Sequence, residues 1–474
     1  MSEFPKNFDF ASAELKWQKF WNEHKLYESH PDLEKPKYSV VIPPPNVTGI
    51  LHFGHILNNT IQDIYCRWHR MRGFEVCWVP GMDHAGIATQ LVVEKDLATE
   101  GKTKNDLGRE KFLERVWKWK ETNGGTIKKQ LIKLGASVDW SKERFTLDDG
   151  LSLNVRRVFV DLYNKGLIYR GVRIVNWDPE LQTSVSDDEV IYKERTDNLY
   201  FIKYKIENSD DFLTVATTRP ETLFGDTALA VNPEDTRYKE YINKNVILPF
   251  LNKKIPVIED DYVDKEFGTG VLKITPAHDL NDFEVGQRHK LEAVTVLNKD
   301  STLNENTGEF KGMDIYVARK KILEKLKESD LLIKTEEFVH NVAVSDRTKA
   351  VIEPYLSEQW FVNMKHLAQP AIDAVKNGSI RFFPDRYTKV YFHWMENIRD
   401  WCISRQLWWG HQIPIWYHKE SGEIYCDVNP PQDPENWKQD EDVLDTWFSS
   451  WLWPLSVFGW ENSDQDRTNE YLNY

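Results

Sequence analysis

The sequence predicts an α/β fold in which a doubly wound parallel sheet is interrupted by an inserted, strand-rich α+β domain. Three observations carry that expectation. Apolar strand candidates alternate with amphipathic helix candidates up to about Val190, the order that builds a parallel sheet with helices on both faces. From Asn198 the text changes to short apolar runs separated by Asn, Asp, Gly and Pro, the pattern of strands joined by turns. Tryptophan is absent from Asp178 to Gln359 and dense again from Trp360, so the first composition resumes where the second ends. These shifts divide the chain into 1–191, 192–346 and 347–474.

An opening helix carries Trp17, Phe20, Trp21 and His24 on one face and precedes a strand, Tyr38–Ile42. The prolines Pro43, Pro44 and Pro45 stiffen the turn that follows. A helix is expected over Gly54–Arg72, which lacks proline and spaces Ile56, Ile61, Ile64, Tyr65, Trp68 and Met71 to form one apolar face, expected to be buried. A second strand, Glu75–Val79, leads into Pro80-Gly81-Met82-Asp83-His84-Ala85-Gly86. In the inserted region Leu199–Ile206, Phe212–Ala216, Val246–Leu251 and Gly270–Thr275 read as strands; Met313–Asp330 reads as a helix, followed by the run Leu331–His340.

At 474 residues the chain exceeds one ordinary core, and its 41% hydrophobic content with nineteen tryptophans supplies ample apolar surface. No run approaches the roughly 18 apolar residues of a membrane span. The start, Met1-Ser2-Glu3-Phe4-Pro5, has no basic-then-apolar signal pattern, so a cytoplasmic protein without a membrane partner is expected. Cys66, Cys77, Cys402 and Cys426 are isolated and read as reduced, buried thiols. The net charge of −14 works against chain-wide attraction to nucleic acid, yet says nothing of local potential. Lys111, Arg115, Lys118, Lys120, Lys128, Lys129 and Lys133 form a basic strip that could face RNA; its plainer reading is a solvated helix face.

The first motif places His52, Gly54 and His55 where a strand and a proline turn enter a helix. A helix N-terminus presents unpaired N–H groups and a positive dipole end to an anion. Gly49 and Gly54 let a base or phosphate approach the backbone, and the two histidines can donate to phosphate oxygens as charge develops. The plainer reading is that they only cap the helix. Asp83, a carboxylate at a strand end among small residues, suits an ammonium group. In the inserted region Thr217, Thr218, Arg219 and Thr222 share one loop, Lys273 and Thr275 end a strand, and His278, Asp279 and Asp282 follow. Hydroxyls and carboxylates converging in this way suit an amino acid bearing an ammonium and a hydroxyl. Ordinary hydroxyl turns and a helix cap at Asp279 are the plainer account.

Pro43 to His55 and Asp83-His84-Ala85-Gly86-Ile87-Ala88-Thr89-Gln90 resemble segments of the class I aminoacyl-tRNA synthetases for branched aliphatic amino acids. The valyl type fits better than the isoleucyl type, which usually carries Pro-Tyr-x-Asn-Gly and Trp-Asp-x-His-Gly. Asn176-Trp177-Asp178-Pro179, Thr217-Thr218-Arg219-Pro220-Glu221-Thr222, Pro276-Ala277-His278-Asp279, Trp401-Cys402-Ile403-Ser404-Arg405-Gln406 and Asp445-Thr446-Trp447-Phe448-Ser449-Ser450 match that family in order.

The resemblance implies a Rossmann-type nucleotide fold holding ATP, with its Mg²⁺, at His52, Gly54 and His55, the two histidines acting in catalysis. It assigns the valine ammonium to Asp83 and the valine side chain to Pro44, Asn46 and Trp447, although by composition alone Trp447 belongs to a tryptophan-dense core stretch. In the insertion it implies an editing site that hydrolyses threonyl-tRNA, built from Thr217, Thr218, Arg219, Thr222, Lys273, Thr275, Asp279 and Asp282. There Asp282 grips the α-ammonium while Asp279, Thr222 and Lys273 read the threonyl side chain and neighbouring ester. Valine, ATP and the valine tRNA are the expected ligands of a monomeric protein. Asp178-Pro179-Glu180 and His418-Lys419 stand where some relatives carry cysteine clusters, so no structural zinc is expected. The Lys-Met-Ser-Lys-Ser motif of the family is not found in these residues. The resemblance therefore implies an N-terminal part, its nucleotide fold incomplete at the C-terminus, weak in aminoacylation but with the editing domain whole. Other readings are a stand-alone deacylase on a degenerate scaffold, an isoleucyl-type fragment, and an inert RNA-binding module.

Overall fold

The computed structural model describes residues 7–30, 34–458 and Trp460. The chain divides into two compact units, one drawn from residues up to Tyr169 and from Phe361 onward, the other Arg170–Trp360. The second unit is wider than the 192–346 expected from composition because its flanks fold onto it. Trp177 donates from Nε1 to the Lys299 carbonyl at 2.7 Å, its ring lies 5.1 Å from that of Tyr355, and Thr348 Oγ1 donates to Asp178 at 2.7 Å.

In the first unit, strands Lys37–Val41 and Glu75–Val79 pair in parallel, Lys37 opposite Glu75 and Val41 opposite Val79. The Ile42 N–H continues the ladder to the Val79 carbonyl at 2.9 Å. Three prolines then interrupt it, since they lack N–H groups. Pairing resumes beyond them: Asp83 N–H donates to Pro45 O at 3.0 Å and Val47 N–H to Asp83 O at 3.2 Å. On its other side, Gly81–Met82 pairs in parallel with Arg144–Phe145. Both faces of the central strand are covered, as a doubly wound sheet requires. Val76 and Trp78 pack with Cys66, Ala136 and Val138, whereas Cys77 and Val79 pack with Leu151, Trp453 and Val457.

The helix Phe53–Met71 corrects one expectation. Its apolar face, Ile56, Ile61, Ile64, Tyr65, Trp68 and Met71, is 39–80% exposed among the described residues. The opposite face docks instead, through Cys66 and polar contacts: Gln62 accepts from Trp78 Nε1 at 3.0 Å, Asp63 accepts from Ser137 N–H at 2.8 Å, and Arg70 Nη2 donates to the Ser137 carbonyl at 2.9 Å. Helical periodicity fixes which residues share a face, not which face the fold covers. The opening helix, Phe10–Glu23, likewise leaves Trp17 and Phe20 exposed. Cys66 and Cys77 are buried thiols as expected, but Cys402 and Cys426 are only partly buried. No helix among the described residues is long and apolar enough to cross a membrane.

The second unit is organised by a seven-stranded sheet. Val190–Ile206 pairs antiparallel with Leu332–Ser345 along nearly its whole length and with Phe212–Thr217. Ala228–Val231 lies between Lys254–Glu259, in parallel, and Val271–Ile274, antiparallel. The helix Ile315–Glu328 buries Ile315, Ala318, Ile322 and Leu326, one stripe at helical spacing, against the core containing Ile202, Tyr204, Val215 and Leu229.

Gly81 adjoins the bend that carries Asp83. A Cβ there would stand 2.0 Å from the Trp453 ring and 2.7 Å from the Arg144 carbonyl. Gly81→Ala is therefore expected to destabilise the first unit by about 1–3 kcal/mol, the usual cost of overpacking. A denaturant midpoint unchanged from the parent would contradict this packing.

Candidate functional site

Pro43–Pro45, Asn46, Thr48, His52 and His55 line a cleft of about 310 Å³ in the first unit. His52 caps the helix, its Nδ1 accepting from Gly54 N–H at 3.1 Å, and His55 Nδ1 accepts from His52 N–H at 3.2 Å. Both histidines therefore cap the helix, and the capping has a chemical consequence. With both Nδ1 lone pairs taken by backbone donors, the ring proton of each neutral imidazole sits on Nε2, available to an acceptor. Burial, then the neighbouring His52, lowers the pKa of His55. Gly54 permits the close cap: a Cβ would lie 3.0 Å from the His52 ring.

Asp83 does not line that cleft, although it pairs with Asn46 as a parallel bridge. It is 7% exposed. Its Oδ1 accepts from Ala85 N–H at 2.9 Å and Thr146 Oγ1 at 3.2 Å, and its Oδ2 from Ser450 Oγ at 3.1 Å. Burial pushes its pKa up against those donors. The adjacent His84 ring lies 3.3 Å away, but burial holds its pKa down to about 3, so it brings no charge. Among the described residues no lysine or arginine pairs with Asp83. Trp447 is 58% exposed and caps back to Asp445 through its N–H at 3.0 Å; its short helix, Thr446–Ser450, reaches Asp83 only through Ser450. Thr146 and Ser450 were not distinguishable in the sequence from any other hydroxyl residue.

The second unit holds a pocket of about 360 Å³ that brings Thr217, Thr218, Arg219, Thr222, Lys273, Thr275, Asp279 and Asp282 together with His278. The first four sit where strand Phe212–Thr217 turns into the tight helix Pro220–Gly225. Thr217 Oγ1 accepts from Arg219 N–H at 3.0 Å. The Arg219 guanidinium donates to the His278 carbonyl at 3.2 Å and pairs with Glu353, with Glu221 3.6 Å away, so it is held in a fixed place at the pocket. Asp279 caps the helix Leu280–His289, its carboxylate accepting from Asn281 and Asp282 N–H groups at 2.8 and 3.1 Å.

Lys273 and Asp282 are both 8% exposed. Lys273 Nζ donates to Thr222 Oγ1 at 2.9 Å, to Asp226 Oδ1 at 2.9 Å and to Thr275 Oγ1. Asp282 Oδ2 accepts from Thr275 N–H at 2.9 Å. Burial, reinforced by the charge of Asp279 and opposed by that of Lys273, pushes the Asp282 carboxyl up to about 7. No lysine or arginine among the described residues pairs with it. His278 is buried and its Nε2 accepts from Val296 N–H at 2.8 Å; burial lowers its pKa to about 3. The one lone pair of this neutral ring is thus occupied, and His278 cannot take a proton from water. Among the described residues no group of three or more His, Cys, Asp or Glu side chains is arranged to hold a metal ion.

Against known proteins, the model of the tRNA synthetases class I (I, L, M and V) matches residues 16–432 and 430–473. The chain belongs to the class I tRNA synthetases of that group, and the doubly wound sheet with an inserted domain is the fold of this class. Within the class, valine–tRNA ligases are among its curated relatives. That of Bacillus licheniformis is 56% identical over 468 residues, covering 98% of this chain and 53% of the relative; that of Bacillus subtilis gives the same figures. The Carboxydothermus hydrogenoformans enzyme is 57% identical over 472 residues, covering 98% and 54%. The chain thus spans about half the length of the curated relatives it matches. Among solved structures, LeuRS from the LeuRS-tRNA-LeuAMS ternary complex of Agrobacterium radiobacter aligns with a TM-score of 0.48 at 20% identity, covering 96% of this chain and 60% of that one.

Asp282 yields a stability prediction. Its carboxyl is raised in the folded chain from an ordinary value of 3.8 to about 7. Between those values the folded state binds a proton that the unfolded state has released, so the group favours folding at low pH and that contribution is lost as pH rises through about 7. Asp282→Asn removes the titration. It is expected to raise Tm relative to the parent by more at pH 8 than at pH 5, because the contribution is lost progressively between pH 3.8 and about 7, each kcal/mol appearing as about 2–4 °C. Equal Tm differences at the two pH values would count against a raised Asp282.

Proposed function

We propose that the chain carries two sites of a valine–tRNA ligase: a pocket in the second unit that hydrolyses threonyl-tRNA, and amino-acid and ATP contacts of the synthetic site in the first. The observation that carries the first assignment is Asp282, a buried carboxylate without a fixed cation beside the Thr222 hydroxyl and Lys273. An α-ammonium supplies the missing charge, and a side-chain hydroxyl can pair with Thr222 or the exposed Asp279. Water adds to the ester carbonyl carbon; the bond from that carbon to the ribose oxygen breaks, and the water proton ends on the ribose oxygen. With the His278 lone pair occupied, no nucleophile–imidazole relay takes part, and catalysis rests on positioning. Arg219 offers fixed positive charge for the developing oxyanion.

A second pocket answers a limit on the first. Threonine and valine are nearly isosteric, and the rejection of threonine by a valine-shaped apolar pocket, the standard example from this very enzyme family, is only about a hundredfold. In the synthetic site, Nε2–H groups of His52 and His55 at a helix N-terminus suit the phosphates of ATP, which brings its Mg²⁺ as part of the substrate. Asp83 suits the valine ammonium, with Pro44, Asn46 and Trp447 toward its side chain. The valine carboxylate attacks the α-phosphorus in line, giving valyl-adenylate and pyrophosphate, and the valyl group passes to the valine tRNA. The Lys-Met-Ser-Lys-Ser segment is not among these 474 residues, so slow valine-dependent pyrophosphate exchange is expected from these residues alone. We take the protein to act as a cytoplasmic monomer without structural zinc.

The test is hydrolysis of threonyl and valyl esters on the valine tRNA by the purified chain. Selective loss of the threonyl ester, reduced at least about a hundredfold by Asp282→Ala as expected for a buried charged contact, supports the reading. Equal rates for both esters, or full activity in Asp282→Ala, would overturn it.

A further inference from the structure

Asp226 does not line the pocket, yet two lines of contact from its carboxylate reach the groups that do. It follows the tight turn Pro220–Gly225 and is 1% exposed. Its Oδ1 accepts from Lys273 Nζ at 2.9 Å and from Thr275 Oγ1 at 2.6 Å, and its Oδ2 from Tyr204 Oη at 2.6 Å. Tyr204 is fully buried on the strand Val190–Ile206, so the carboxylate is tied to the sheet. Through Lys273 it fixes Thr222: the Thr222 hydroxyl donates to the Arg219 carbonyl at 3.0 Å and accepts from Lys273, leaving one lone pair for a ligand. Through Thr275 it fixes Asp282, which receives the Thr275 N–H at 2.9 Å.

Resting on the hydrolytic reading above, we propose that Asp226 is a positioning residue that sets the threonine selectivity of the pocket by locking Lys273 and Thr275 from behind. Without its charge the ammonium of Lys273 is a buried cation lacking its counter-charge. It then leaves the position from which it donates to Thr222, and the Thr222 hydroxyl is no longer held with its open lone pair toward the pocket.

In deacylation by the full chain, Asp226→Asn is expected to lower kcat/KM for the threonyl ester by about tenfold or more and that for the valyl ester by less, so that the preference for threonine falls. A double cycle with Lys273→Met separates positioning from bulk structure: the double variant is expected to lose no more than Lys273→Met alone. Should Asp226→Asn fail to fold, the apolar pair Asp226→Leu with Lys273→Met keeps the test open, because removing both members of a buried ion pair is far better tolerated than removing one; it is expected to fold and to lose the preference for threonine. An activity-independent arm follows acetylation of Lys273 in the native chain by sulfo-NHS-acetate, read by peptide mass spectrometry. Faster labelling of Lys273 alone in Asp226→Asn is expected. Unchanged threonyl kinetics in a folded Asp226→Asn, losses that multiply in the cycle, or unchanged Lys273 labelling overturns the proposal. A parent chain that hydrolyses neither ester defeats the functional reading instead, while the labelling arm still decides whether Asp226 holds Lys273.

Discussion

A carboxylate buried without a fixed cation is the constraint on which both units turn. Asp83 and Asp282 are each held by neutral donors only, backbone N–H groups and hydroxyls, and burial raises the pKa of each. Such groups are costly to keep charged unless a cation arrives. Elsewhere the same chain pairs its buried carboxylates internally: Asp226 with Lys273, Asp445 with Arg405, Glu221 with Arg319. Asp178 shows a third case, a buried carboxylate satisfied by two backbone N–H groups and the Thr348 hydroxyl, so the lack of a cation marks a site only where, as at Asp282, the group also lines a pocket.

Local backbone chemistry puts those carboxylates in place. In the first unit the three prolines interrupt the ladder without ending it, so Asp83 emerges just where pairing resumes beside Asn46. Two residues on, the Ala85 N–H points back onto the Asp83 carboxylate, and Ala85 itself takes a left-handed conformation at φ 51° as the chain enters the next helix. In the second unit Asp279 spends its carboxylate capping the helix that carries Asp282, and the first helical turn directs Asp282 at the Thr275 N–H. The carboxylate that caps stays exposed, and the one that points inward is buried.

Much of this was legible from residue order, and the exceptions have physical causes. Strands such as Phe212–Thr217 alternate exposed and buried positions, and the helix Ile315–Glu328 shows its stripe, so both could be read from periodicity. Ala228–Val231 is buried at all four positions and offers no alternation to read. The apolar face of Phe53–Met71 is exposed against expectation, because amphipathicity does not say which side finds a partner. In the second unit the pocket-lining residues stand out as local motifs. Asp226 and Tyr204 do not, because their contacts join residues 22, 47 and 49 positions apart, and nothing in the chain marks those separations.

If Asp83 and Asp282 seat the α-ammonium, as proposed, selectivity has to arise beside them rather than in them, because valine and threonine share that group. A site rejects an analogue lacking a hydroxyl most strongly when its own buried polar groups are then left unpaired. In the second unit, however, Lys273 already has three partners before any ligand arrives, so a valyl group entering the pocket strands no lysine proton. On the hydrolytic reading, discrimination therefore falls to the acceptors that remain open: the second lone pair of Thr222 and the exposed carboxylate of Asp279. That arrangement rewards the hydroxyl without demanding it, and the degree of reward depends on Lys273 staying where Asp226 holds it.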